Sequence, residues 1–287
     1  MPLNTSPPEV EKVLKSSDGI EIFARTAGRS DNHSLVFTHG FAFSGHVFDE
    51  LFKDEKLLRE FYLVSYDVRG HGRSGKPKRE EDHTSALYAA DFAAVVKASM
   101  GATVACDVCA HLPPNAISGI VYVSGLPYID RNVMNSLAAP GALDISSGLL
   151  STDDVLYSNV AKIAFVDASF TDTSSVPVSV KLSWLGAATV QSPVDRQLVL
   201  SRAQDAEKLR QAGLKGLPLL LISASADKLI QCDLVEKEMK PYFKDLEVHT
   251  VKDGSHVVFY ENQEEFVEVL TRFAKRVFRK KRPGSRL

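Results

Sequence analysis

Two residues of this 287-residue chain, Asp227 in SASADKLI and His256 in KDGSHVVFYEN, have the types needed for an oriented general base. Each stands just past an apolar run, LPLLLISAS (217–225) or LEVHTV (246–251), of the kind that forms a strand buried on both faces. A carboxylate and an imidazole in successive strand-end loops can meet. The acid then holds one tautomer of the imidazole and leaves its other nitrogen to take a proton. Either residue singly is more often structural; the pairing is what carries weight. A nucleophile is still needed, and Ser99-Met100-Gly101-Ala102, followed by the helical TVACDVCAH, offers a hydroxyl at a sharp turn into a helix. After SLVFT comes His39-Gly40-Phe41-Ala42, where a glycine lets backbone approach a ligand and the next amide can point at an anion.

Other motifs carry less. DVRGHGRSGKP (67–77) contains a GxGxxG from Gly70 to Gly75, but Lys76-Pro77 follows where a dinucleotide fingerprint needs a helix. It reads as a tight loop whose Arg and Asp fix neighbouring backbone. Cys106 and Cys109 form a CxxC, yet no second Cys/His pair completes a metal set, so the expectation is two small apolar residues on a helix face and no metal. Three cysteines are too few for a disulfide framework.

The elements that must position these residues follow from periodicity. KVLKSSDGIEIFAR alternates on both sides of Asp18-Gly19, a hairpin signal. SLVFTHG (34–40) and FYLVSYDVRG (61–70) are apolar runs separated by the helical FDELFKDEKLLREF, which implies parallel pairing through a crossover. GIVYVSG (119–125) joins LPLLLISAS and LEVHTV as further parallel strands. Between 126 and 215 the strand rhythm gives way to short helical pieces separated by SSGLLSTDD and DASFTDTSSVP. The division expected is a core over 10–125 and 216–279, a helical lid over 126–215 and a basic tail over 280–287. In the last helix Phe266, Val267, Leu270, Phe273, Ala274 and Val277 share one face.

Composition bounds the partners. With 44% hydrophobic and 24% charged residues the chain is globular in type, and no run approaches the ~18 apolar residues of a membrane span. The opening MPLNTSPPEVEKV has neither the basic start nor the apolar stretch of a secretory signal. Net charge is −2, but the segment from Arg272 onward holds eight Lys/Arg and no acid, leaving the rest at −10. A nucleic-acid surface on the main body is disfavoured. The final Ser285-Arg286-Leu287 is close to the Ser-Lys-Leu peroxisomal address, so the expected location is cytoplasmic or peroxisomal, with an import receptor as partner in the second case.

Taken in order, HGFA, DVRGHGRSGKP, SMGA, SADKLI and GSHVVFYEN resemble the α/β-hydrolase family, in particular its lidded esterase, perhydrolase and epoxide-hydrolase-like branch. The resemblance runs from about Val10 to Val277. It implies an α/β fold with a mostly parallel central sheet, no cofactor, and a small-molecule acyl substrate such as an ester or lactone. It also implies a triad in which Ser99 attacks, His256 moves the proton and Asp227 orients His256. Backbone amides of Phe41 and Met100 would form the oxyanion hole, at ~3–4 kcal/mol per donor. Phe43, Trp184 and Leu185 are candidates for the apolar lining. The alternatives are a non-catalytic binding protein on the same fold and a cofactor-free perhydrolase.

One stretch departs from the family pattern. The GxSxG elbow reads Lys97-Ala98-Ser99-Met100-Gly101, with a lysine where the first glycine belongs. Only fifteen residues, Thr84 to Ala98, are available for a helix, a connection and the central strand, which together need roughly 18–22. Either a helix from Thr84 continues through Ser99, making it an ordinary helical residue away from His256, or Ala93 to Ala98 forms a short strand that restores the elbow at the expense of the crossover helix. The strand is favoured, because a slot between parallel strands orphans ladder hydrogen bonds; helix propensity in ALYAADFAAVVKA argues the other way. So clean an excision suggests a skipped exon or a gene-model error.

Overall fold

The computed structural model describes residues 9–98 and 104–280. Ser99 and Met100, and the tail residues Ser285, Arg286 and Leu287, lie outside the described residues. Strands β1 (Val10–Lys15) and β2 (Glu21–Ala27) pair antiparallel through the expected turn, where Gly19 takes φ +86°. Then come β3 (Ser34–Thr38), α1 (Glu55–Glu60) and β4 (Tyr62–Tyr66), with β3 and β4 parallel. The helix expected over 48–61 is broken into short 3-10 turns and α1, because the Asp54 carboxylate caps a new helix start by accepting Lys56 N and Leu57 N.

Next in the chain are α2 (Ser85–Ala98), α3 (Ala105–His111) and β5 (Ile120–Val123). Six helices separate β5 from β6 (Leu219–Ala224): α4 (Arg131–Leu137), α5 (Ala142–Leu150), α6 (Val155–Ala168), α7 (Val178–Val190), α8 (Pro193–Ser201) and α9 (Ala206–Leu214). The chain closes through α10 (Cys232–Met239), β7 (Leu246–Val251), α11 (Val258–Glu261) and α12 (Gln263–Lys280).

The strand favoured over 93–98 is not there: α2 runs to Ala98. Its course follows from what it buries. Tyr88, Ala89, Phe92 and Val95 fall at helical spacing and are buried together, and the Asp91 carboxylate grips Arg69 from the same face with two bonds of 2.6 Å. A strand over 93–98 would take Val95 out of that row and end the helix just past Asp91 and Phe92. Among the described residues the sheet is parted into a four-stranded piece in the order β1-β2-β4-β3 and a three-stranded parallel piece in the order β5-β6-β7.

Period-two alternation sorts the strand residues onto two faces. Phe37, Leu63, Leu220 and Ile222 join one core cluster with α12 and with Phe165 and Trp184 of α6 and α7. Val36, Val64, Leu219 and Leu221 join the other, with α2, α3, Leu209 of α9 and α10. All six apolar residues expected on one face of α12 are buried. Helices α5 and α7 are gathered by Arg196, whose guanidinium is wholly buried and donates to Leu149 O (2.9 Å) and Ala188 O near their carboxyl ends. A cation there complements both helix dipoles without a carboxylate partner.

Asp91→Ala leaves the buried Arg69 guanidinium with a diminished set of acceptors, and breaking such a pair costs about 3–5 kcal/mol. Urea unfolding should show that loss, with the midpoint lowered and the slope kept.

Candidate active site

The first half of the sheet contributes a rigid backbone turn. Asp67, just past β4, accepts Gly45 N and Arg73 N at 2.7 Å each, and Ser74 donates to Asp67 O at 2.5 Å. Arg69 has no exposed side-chain surface and donates to Asp91, to Asp18 (2.9 Å) and to Asp82 O (2.6 Å). The GxGxxG loop is therefore the structural device its sequence suggests. Gly72 has φ +45°, and a Cβ there would strike the Asp67 carboxylate.

His39 spans from this loop to the HGFA turn. Its Nδ1 donates to Gly40 O at 2.8 Å and its Nε2 accepts Val68 N at 3.0 Å, which fixes the neutral tautomer. Burial pushes its pKa down against the pull of Asp67. The turn itself closes with Phe43 N donating to Gly40 O (3.3 Å), and Ala42 is held at φ +58°. Phe41 N has no acceptor among the described residues, as an oxyanion donor requires.

The second half brings together the acid and the base. Asp227 follows β6 and His256 follows β7, and parallel pairing of those strands sets the two loops side by side. The loops are further tied by Ala226 N to Gly254 O (2.9 Å) and Asp253 N to Ser225 Oγ (2.7 Å). His256 Nδ1 lies 3.0 Å from Asp227 Oδ2 and 3.2 Å from Oδ1. Asp227 Oδ1 also accepts Leu229 N (2.8 Å) and Ile230 N (3.0 Å). The carboxylate is 1% exposed and the imidazole 19%. Burial raises the Asp227 pKa, but the His256 charge, its hydrogen bond and the two amides outweigh this and hold it below the ordinary carboxylate value. An ionised Asp227 accepts a hydrogen bond from Nδ1–H of His256, and Nε2, which has no partner among the described residues, is left as the acceptor.

Two groups beside the acid carried no signal in the sequence. Cys232 Sγ lies 3.7 Å from Asp227 Oδ2 and 3.9 Å from Ser124 Oγ. Burial raises its pKa and keeps the thiol protonated. Of the three apolar candidates, Phe43 and Trp184 do meet, with ring centroids 5.3 Å apart, and both are buried; Leu185 packs against the same cluster. Phe165, Phe170, Phe259 and Tyr260 extend this aromatic wall. Among the described residues no group of three His, Cys, Asp or Glu side chains could hold a metal ion.

The model of the alpha/beta hydrolase family matches residues 35–269, and the chain belongs to that family. A 2-(acetamidomethylene)succinate hydrolase from Mesorhizobium japonicum is 24% identical over 83% of this chain and 87% of that relative. "Probable oxidoreductase EphD" of Mycobacterium tuberculosis is 35% identical over 31% of this chain, a stretch spanning only 14% of that longer relative. Among solved structures, the esterase RhEst1 from Rhodococcus sp. ECU1013 superposes with a TM-score of 0.77 at 24% identity, covering 92% of this chain and 98% of that one. That likeness bears on the fold.

Three histidines near the first-half loop give a pH signature. Burial lowers the pKa of His39, His71 and His83 from the ordinary 6.5, that of His71 the most strongly. Folded, they stay neutral; unfolded, they take up protons below about pH 6.5. Their stabilisation is complete above that value and is lost as pH falls toward the folded-state values. The urea midpoint should fall between pH 7.5 and 5.5, and His71→Gln should flatten that slope.

Proposed function

We propose that the protein is a serine hydrolase acting on small esters, lactones or related acyl compounds. The observation that carries this reading is the Asp227–His256 pair, formed by successive strand-end loops with the imidazole partly exposed and its Nε2 without a partner among the described residues. The hydrolase relative that matches most of the chain supports the same class.

In this reading Ser99 is the nucleophile. Its Oγ forms a bond to the acyl carbon as its proton passes to His256 Nε2. The carbonyl electrons move onto an oxyanion held by the amides of Phe41 and Met100. Collapse breaks the bond to the leaving alcohol, which takes the proton from His256, and an ester on Ser99 remains. Water repeats the sequence: it loses a proton to Nε2 and adds to the acyl carbon, and collapse breaks the bond to Ser99 Oγ, which takes that proton back from His256 as the acid is released. Asp227 holds the imidazolium throughout without accepting its proton. The segment 126–215 serves as the lid, with Phe43, Trp184 and Leu185 against the acyl group.

Hydrolysis of p-nitrophenyl acetate tests the reading. Ser99→Ala should abolish turnover, and Asp227→Asn, which offers the wrong hydrogen-bonding partner to Nδ1, should lower kcat by on the order of 10⁴-fold. Turnover unchanged in Ser99→Ala would refute this assignment. A folded wild-type chain with no turnover would favour the non-catalytic binding protein.

A further inference from the structure

The turn that ends α6 is held by both loops of the acid–base pair. From the first loop Lys228, adjacent to Asp227, donates to Phe170 O and Thr171 O at 2.9 Å each, a cation set at the carboxyl end of a helix. From the second side Glu261 Oε2 accepts Thr171 N (3.0 Å) and Thr171 Oγ1 (3.2 Å), while Asp253 O lies 3.5 Å from the same hydroxyl. Lys181 of α7 adds a bond to Thr173 O at 3.0 Å. The turn in turn seats Phe170, which stacks on Trp184 with centroids 4.9 Å apart and meets Tyr260 at 5.9 Å.

We propose that Lys228 and Glu261 are positioning residues that strap the α6 turn to the Asp227 and His256 loops, so that the seating of α6 and α7 and the alignment of the pair form one coupled state. None of the bonds at this partly exposed turn is strong alone. Their placement gives the coupling. Lys228 is one peptide from the acid, and Asp253, which supplies a carbonyl to Thr171, also donates its amide to Ser225 on the acid loop. A turn that lifts must break the bonds that tie it to both loops. The catalytic consequence, that the strap sets how substrate is received, rests on the serine-hydrolase reading. The coupling itself does not.

Hydrogen–deuterium exchange on the full chain separates the two. Lys228→Met and Glu261→Ala are compared with wild type, with exchange normalised to the β1–β2 hairpin so that a general loss of stability is read apart. Either substitution should raise exchange at least about threefold over 165–175. The deciding readout is across the strap: Lys228→Met should also loosen 252–262, although the Lys228 ammonium bonds to Phe170 O and Thr171 O, and Glu261→Ala should loosen 225–231. The double variant should exceed the larger single effect little, as for one shared element. Lys228→Arg should restore the wild-type pattern. Loosening confined to the substituted side, or no change over 165–175, overturns the proposal. In ester hydrolysis Lys228→Met should raise KM severalfold more than it lowers kcat; a wild type without esterase activity defeats the hydrolase reading while the exchange result still decides the strap.

Discussion

Arg69 and Asp91 form a bidentate ion pair between two fully buried side chains, and the arrangement of the centre follows from it. Fifteen residues between Thr84 and Ala98 can be helix or strand but not both. Asp91 lies in their middle, and its carboxylate is the principal counter-charge for a guanidinium that also ties the 67–77 loop to Asp18 and Asp82. A strand over 93–98 would cut α2 off just past Asp91 and Phe92, shortening the helix that seats that ion pair. The helix wins, and among the described residues the sheet is divided into a part that presents the HGFA turn and a part that presents Asp227 and His256.

Each half carries its own polar network. In the first, His39, Asp67 and Ser74 bind the loop backbone, and Phe41 N has no acceptor among the described residues. In the second, β6–β7 pairing, the cross-loop bonds and two amides on Asp227 Oδ1 pre-arrange the acid so that little reorganisation is needed when His256 becomes charged. The halves communicate through the aromatic cluster from Phe43 to Trp184 and Tyr260 and through α12, whose apolar face underlies the first core.

Much of this was legible in the sequence because it depends on local pattern. Asp18-Gly19 marks a hairpin, the continuous apolar run in LPLLLISAS marks a strand buried on both faces, and the strand-end positions of Asp227 and His256 imply that they can meet. The stretch 93–98 is helix against expectation for a physical reason: ladder continuity favours a strand there, but the same helix carries Asp91, whose buried cation partner lies 22 residues away where no periodicity marks it. The aromatic contact of Phe43 with Trp184 was a matter of type alone. The straps made by Lys228 and Glu261 left no trace, because their partners are mainly backbone groups, which every residue carries.

The central claim is that a hydroxyl at position 99 is activated by the Asp227–His256 pair. Organophosphonate labelling read by peptide mass spectrometry tests this most directly, since the reagent reports an activated serine whatever the natural substrate. The account predicts a stoichiometric adduct on Ser99 of the wild-type chain and strongly slowed labelling in His256→Ala. A folded wild-type protein that takes up no label, or takes it at another residue, would contradict it.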